Sequence, residues 1–202
     1  SASSAGRTFI DRLVSKNARL SILSKDPQKT PKVFQIFTLE MRDVGLAAPA
    51  AFTASLTNPI PFGKVDTTGH FGPWRRDAPS LTPLDGKYAF KADLGTIRGV
   101  AGTLDSVGSF TGVLERIDAK GSTTIPDFSL PSLHAGALPL ETRFDAVIDG
   151  TSGDVFLTGV DATLGASAFT TSGAIARVEG VRGKRLTLDV EGEKGGARLS
   201  LE

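Results

Sequence analysis

The sequence predicts an almost entirely β fold: an antiparallel meander of strands that forms a curved sheet or β groove, with very little helix. Apolar and polar residues alternate with a period of two over many short runs, the pattern of half-buried strands. Gly (23) and Pro (11) are spread throughout the chain and punctuate those runs with turn signals. A β sandwich is the alternative, because a second sheet could bury the same apolar faces.

The clearest alternation lies near the end of the chain, in residues 143–149 and 185–191. In each run three apolar side chains fall on one face and the Arg, Asp, Thr and Glu side chains on the other. We expect the two apolar faces to share one surface. The six apolar residues are Phe144, Ala146, Ile148, Leu186, Leu188 and Val190.

Other strands and turns follow from the same rules. One helical turn fits residues 94–99, and Asn58-Pro59 should end a strand because Pro cannot donate to a ladder. The further apolar sets are Ala18, Leu20, Ile22; Phe52, Ala54, Leu56; Val65, Thr67, Gly69, Phe71; Phe110, Gly112, Leu114, running on toward Ile117; and Ala197, Leu199, Leu201. The predicted turns are Asp85-Gly86, Lys120-Gly121, Asp149-Gly150, Ser152-Gly153, Glu179-Gly180, Arg182-Gly183 and Gly195-Gly196.

Length and composition limit the possible domain organisation and the possible partners. Residues 1–6 have the composition of a linker remnant, and residues 7–202 suit one β domain with an irregular loop or boundary near 75–85. The net charge of +1 argues against nucleic acid as a partner, and the absence of Cys excludes disulfides and thiolate metal sites. No apolar run reaches 18 residues, so any membrane anchor of the full protein would lie outside this sequence.

Four carboxylates between residues 145 and 161 could indicate a metal site or acid–base catalysis. The segment 149–154 lacks the alternating oxygen ligands and final Glu of an EF-hand, and a hairpin turn explains its Asp-Gly and Ser-Gly steps. Asp145 and Asp149 share a polar strand face, which leaves a glycosidase-like pair as the enzymatic alternative. The four carboxylates of the cluster are Asp145, Asp149, Asp154 and Asp161.

Other catalytic arrangements are not supported by the residues. His70 and His134 lack the paired spacing of a metal site and fit loops or strand edges. Residues 150–153 do not form a nucleophile elbow, and the glycines of 99–102 are not followed by the Lys of a P-loop. Trp74 fits the end of a β core. The sequence therefore predicts a protein that is not an enzyme and has no cofactor and no metal.

A set of short phrases in a fixed order carries a family resemblance. Together they are similar to the C-terminal AsmA-like region of large envelope proteins, over roughly residues 30–190. Because they are turn and strand motifs, they identify no reactive site. The phrases are LTNPIPFG (56–63), TGHFGPW (68–74), ADLG (92–95), GVAGTL (99–104), SVGSFTG (106–112), TIPDF (124–128) and VIDGTSGDV (147–155).

The resemblance implies a function. AsmA-like proteins and their TamB-type relatives resemble bridge-like lipid carriers, anchored in the inner membrane and extending through the periplasm. Their strands form a groove with an apolar interior that shields the acyl chains of phospholipid moving toward the outer membrane. We therefore expect a periplasmic module for outer-membrane biogenesis, with phospholipid or another acyl-chain lipid as its partner and the six residues named above facing lipid. A protein-binding or scaffolding module of the cell envelope, in contact with other envelope proteins, is the alternative.

Overall fold

The computed structural model describes residues 9–22, 32–45, 47–59, 61–97, 99–131, 136–176, 185–192 and 195–201. These residues form twelve β strands and two single-turn 3₁₀ helices, Pro79–Leu81 and Leu94–Thr96. The strands are β1 (Ile10–Ile22), β2 (Lys32–Val44), β3 (Ala50–Pro59), β4 (Phe62–Phe71), β5 (Pro83–Asp93), β6 (Thr103–Val113), β7 (Arg116–Phe128), β8 (Leu138–Asp149), β9 (Asp154–Leu164), β10 (Ser167–Ala176), β11 (Arg185–Gly192) and β12 (Gly195–Leu201).

All twelve strands belong to one antiparallel sheet in which spatial order follows chain order from β1 to β12, and the sheet is not closed. The predicted fold class, an antiparallel meander with very little helix, is therefore confirmed. The alternative, a β sandwich, is wrong for the described residues, because every strand pairs within this single sheet. No described side chain larger than that of Thr82 is fully buried, as it would be between two packed sheets.

The register brings most of the apolar residues to the same side of the sheet, with Val107, Val147 and Phe156 among the exceptions. One cross-strand row illustrates the alignment: Ala119 pairs with Ala146, Ala146 with Leu157, Leu157 with Gly173, and Gly173 with Leu188. β9 has one extra residue near Thr158, which forms a bulge. Because the pairing with β8 and with β10 shifts at the same point, the apolar residues on either side of the bulge stay in the same cross-strand rows. We call this side of the sheet the apolar face.

Aromatic rings on the apolar face lie over glycines of the adjacent strands. A Cβ added to Gly121 would stand 2.7 Å from the hydroxyl of Tyr88 and 2.9 Å from Cζ of Phe144. A Cβ added to Gly86 would stand 2.6 Å from Cζ of Phe110. The rings occupy the space that side chains at these positions would fill, so glycine and aromatic residues pack as complementary pairs.

Charged side chains follow the opposite side, the polar face, where ion pairs connect the strands. Most are exposed, with Glu40 and Asp189 half-buried, so each pair contributes little by itself. The pairs that join different strands are Arg12 with Glu40, His70 with Asp85, Lys91 with Asp105, Lys120 with Asp145 and Arg198 with Asp189. This face is the solvated side of the sheet.

Connections at one end of the sheet are joined to one another by backbone hydrogen bonds. Thr82 is fully buried, and its carbonyl accepts from the N–H of Leu114 at 3.1 Å. The carbonyl of Leu114 in turn accepts from the N–H of Gly150 at 2.8 Å. The loop before β5, the β6–β7 turn and the β8–β9 turn therefore support each other.

Several predicted turns are wrong because glycine has a packing role inside strands. Asp85-Gly86 lies within β5 and Lys120-Gly121 within β7, where the glycines accommodate aromatic rings. Gly195-Gly196 opens β12. The predicted run from Phe110 toward Ile117 is interrupted, since β6 ends at Val113 and a turn at residues 114–115 precedes β7.

Other expectations are met, or lie outside the described residues. One helical turn does occur within 94–99, and β3 ends at Pro59. The predicted loop near 75–85 is a connection between the paired strands β4 and β5, and its last residues already belong to β5. Residues 1–6 and the predicted turns at 179–180 and 182–183 lie outside the described residues.

The ring-over-glycine packing makes a stability prediction. We expect Gly121→Ala to lower the free energy of unfolding by roughly 1–3 kcal/mol, because its Cβ would overlap Tyr88, Phe144 and the backbone oxygen of Val107. Gly159→Ala is the control, because a Cβ there meets nothing within 4 Å. Urea unfolding of both variants measures the difference. An equal effect of the two substitutions would contradict the packing argument.

Candidate functional site

The predicted lipid-facing residues occupy three adjacent rows of the apolar face. In the first row Phe144 pairs with Val160, Val160 pairs with Thr171, and Thr171 pairs with Val190. The second row runs across the strands from Ala146 to Leu157, Gly173 and Leu188. The third runs from Ile148 to Val155, Ile175 and Leu186. The backbone register therefore places the two sequence-derived triplets opposite each other, three strands apart. Leu186 is placed by its backbone alone.

Burial along these rows is that of a single layer. Ala146 is 4% exposed because larger neighbours surround it on the sheet. Phe144, Ile148, Leu188 and Val190 are all half-buried. Among the described residues nothing packs on the apolar face as a second layer, so these side chains keep one side uncovered.

The apolar face is large and uniform. From β3 to β10 no charged residue occupies it. Strand spacing and rise per residue give roughly 35 Å from β3 to β10 and roughly 25 Å along residues 84–92 of β5. The resulting area, on the order of 1,000 Å², exceeds the 300–600 Å² of the largest apolar patch on a typical soluble monomer. This surface is therefore the candidate functional site.

Sequence reasoning missed much of this face. Tyr88 and Phe90 of β5, Ala119 and Ile125 of β7, and Val160 of β9 belong to it as fully as the six predicted residues. Residues 84–92 and 117–125 alternate as regularly as the strands that were found. Treating their Asp-Gly and Lys-Gly steps as turns hid that signal.

A hydroxyl cluster interrupts the apolar face on β5, β6 and β7. The hydroxyl of Ser106, a residue only 6% exposed, donates to the carbonyl of Ser122 at 3.1 Å. The hydroxyl of Thr123 donates to Oγ of Ser106 at 3.0 Å, and the hydroxyl of Tyr88 lies 3.3 Å from the same atom. Burial raises the pKa of Tyr88, with the Ser106 hydrogen bond acting weakly in the other direction.

The polar face carries two open depressions of about 770 and 700 Å³. Their linings mix cations with carboxylates and hydroxyls, and the ion pair between Lys120 and Asp145 crosses the larger one. The charged residues of the larger depression are Lys87, Lys120, Arg143, Asp145, Asp161, Asp189 and Glu191. Because their charges nearly balance, this surface has no strong preference for a charged partner.

The carboxylates considered for chemistry have other roles. Asp145 pairs with Lys120, while Oδ1 of Asp149 accepts from the N–H of Thr151 at 2.8 Å and from its hydroxyl at 2.6 Å. Four residues along one strand separate Asp145 and Asp149 by about 13 Å, too far for a glycosidase pair. Within the described part of the chain no cluster of His, Asp or Glu could hold a metal ion.

His70, the histidine that the structure describes, shows no site geometry. His70 is exposed on the polar face with Nδ1 3.2 Å from a carboxylate oxygen of Asp85. His134 lies outside the described residues. Trp74 follows β4, and its ring centroid lies 6.0 Å from that of Phe71 at the end of the apolar face.

The turn at 149–154 forms as predicted, with one correction. Residues 150–153 connect β8 to β9, and the N–H of Gly153 donates to the carbonyl of Asp149 at 2.6 Å. Gly153 has a φ of 72°, which favours glycine. Gly150 does not have a positive φ; it is needed because a Cβ would stand 2.7 Å from the carbonyl oxygen of Leu114.

No family model, curated protein or solved structure matches this chain. The AsmA-like resemblance therefore stays a prediction. Among the described residues no helix is long and apolar enough to cross a membrane.

The Asp149 turn predicts a pH dependence. Hydrogen bonds from Thr151 and Ser152 lower the pKa of Asp149, so its contribution to stability is present above its unfolded value and is lost as pH falls through the lower folded one. We expect Asp149→Ala to cost about 1 kcal/mol at pH 7. The cost should shrink below roughly pH 4. Urea titrations at several pH values measure it, with exposed Asp161→Ala as control. A pH-independent cost would contradict the carboxylate role.

A second experiment on this turn distinguishes a purely structural loop from a calcium site. Gly150→Val should lower the melting temperature, because its side chain would overlap the carbonyl of Leu114. Gly136→Val should not, since a Cβ there meets nothing within 4 Å. Calcium and chelator should leave the wild-type melting temperature unchanged. Clear stabilisation by calcium would establish a metal site instead.

Proposed function

We propose that this chain is a non-enzymatic envelope module whose apolar face shields the acyl chains of phospholipid, or of another acyl-chain lipid, during transport between the inner and outer membranes. The observation that carries the proposal is the apolar face itself, which carries no charge from β3 to β10 and has no second layer packed on it in the described residues.

The dimensions of the face suit acyl chains. One leaflet of a bilayer has a hydrocarbon depth of about 15 Å, half the roughly 30 Å of the whole core. The apolar face is about 25 Å wide along the strands, so it covers such a chain lying parallel to a strand. Each CH₂ removed from water contributes about 0.8 kcal/mol, and a chain therefore gains affinity without any specific contact.

The composition of the face also suits a mobile ligand. Phe144, Leu157 and Val160 alternate across β8 and β9 with Ala146 and Ala162, and all are apolar and uncharged. Apolar contacts are non-directional, so a lipid can shift from one row to the next while replacing each contact with a similar one. No catalytic group is required for this activity.

The location follows from the resemblance. AsmA-like proteins act in the periplasm, and we place this chain there, as part of a protein anchored in the inner membrane. The rival function is protein binding, in which another envelope protein covers the apolar face. Both functions need the same surface, so the nature of the bound molecule distinguishes them.

Placing a charge on the apolar face tests the proposal. Ile148 is half-buried at one edge of the three rows described above. We expect Ile148→Asp to remain folded, because the carboxylate reaches water once lipid has left. Lipid binding should fall at least tenfold, since acyl chains cannot lie against an exposed charge.

The matched control is Val107→Asp, the same kind of change on the polar face, where Val107 is 56% exposed. It should leave both folding and lipid content unchanged. Circular dichroism reports folding, and native mass spectrometry of each preparation reports bound lipid. A wild-type protein that binds no lipid, or an Ile148→Asp protein that unfolds, would refute lipid carriage at this face.

A further inference from the structure

The hydroxyl cluster on the apolar face has a fixed supply of hydrogens. Ser106 has one hydroxyl hydrogen, and it is committed to the carbonyl of Ser122, which can only accept. The bond between Tyr88 and Ser106 must therefore use the hydrogen of Tyr88, and the bond from Thr123 uses its own. All three hydrogens point into the cluster.

What remains for a ligand is a pair of acceptors. The oxygens of Tyr88 and Thr123 keep free lone pairs, while neither has a hydrogen left to donate. Both residues are half-buried, and the ring of Tyr88 lies over Gly108 and Gly121 with its hydroxyl at the centre of the sheet. In apolar surroundings an unmet polar group is costly, so the match between donor and acceptor matters more here than in water.

We propose that Tyr88 and Thr123 form an acceptor site that selects lipids able to bring a hydrogen-bond donor, an ammonium N–H or a hydroxyl. A phosphate diester and an ester carbonyl are acceptors only, and they find no partner at this site. A quaternary ammonium has no N–H either. The site therefore favours ethanolamine-type or glycerol-type lipids over choline-type lipids.

Two features of the surroundings support this assignment. Tyrosine is protonated at neutral pH and burial raises the pKa of Tyr88 further, so the phenol keeps the hydrogen that it donates to Ser106. Ser106 is only 6% exposed, so the bonds that hold the hydrogens of Tyr88 and Thr123 are largely shielded from water.

The inference rests on the proposed function, and its experiment separates the two. Native mass spectrometry would compare binding of phosphatidylcholine, phosphatidylethanolamine and phosphatidylglycerol with identical short acyl chains. We expect the ethanolamine and glycerol lipids to bind roughly fivefold more tightly than the choline lipid, the size of one net hydrogen bond. The ethanolamine lipid matches the choline lipid in charge, and high salt removes the charge effect of the glycerol lipid.

Tyr88→Phe and Thr123→Val test the residues with minimal change of shape. Each should reduce the ratio of ethanolamine-lipid or glycerol-lipid affinity to choline-lipid affinity toward one. Thr171→Val is the control, because Thr171 is a separate hydroxyl on the apolar face that donates to the carbonyl of Asp189. Circular dichroism checks the fold of each variant.

The outcomes are distinct. A preference for the ethanolamine lipid alone assigns the donor as ammonium, and a preference for the glycerol lipid alone assigns it as hydroxyl. Equal binding of all three lipids by the wild-type protein overturns the acceptor site and leaves lipid carriage standing. A preference that survives both substitutions also overturns it. Failure to bind any of the three lipids overturns both proposals.

Discussion

The structure depends on the antiparallel backbone ladder, which must supply the order that a buried core supplies in most proteins. Every strand pairs with its chain neighbours, so each hydrogen-bonded contact is local along the sheet. No described side chain larger than that of Thr82 is fully buried, and the apolar residues instead pack sideways along their own face. Register is therefore the critical quantity: a shift of one residue would move a strand's apolar set to the polar face.

Glycine and aromatic residues help to hold that register. The space above Gly121 is filled by the hydroxyl end of Tyr88 from one side and the tip of Phe144 from the other. The ring of Phe110 fills the space above Gly86. Such pairs fit only when the glycine stands opposite the ring. On the other side of the sheet, cross-strand ion pairs such as Lys120 with Asp145 are compatible with the same register. The two faces thus specify one alignment by different means.

This architecture connects stability with function. A face that is packed only sideways offers its outer side to a ligand, whereas a sandwich would consume it as core. The hydroxyl cluster around Ser106 fits the same logic: its bonds are satisfied within the sheet, so the polar group is tolerated on an apolar surface. The arrangement leaves lone pairs on the oxygens of Tyr88 and Thr123, which is the basis of the selectivity proposed above.

The sequence by itself determined the β class, the antiparallel order and the faces of individual strands, because a period of two directly encodes which side chains share a face. It identified Phe144, Ala146 and Ile148 as one apolar set, and the turn after Asp149. It predicted turns at Asp85-Gly86 and Lys120-Gly121, which lie inside strands. A glycine beneath an aromatic ring has the same local sequence pattern as a glycine in a turn. Only the tertiary structure decided that the strands form one open sheet and that Tyr88, Ser106 and Thr123 meet. Those outcomes depend on pairing between strands, and residues far apart in the chain carry no local signal of it.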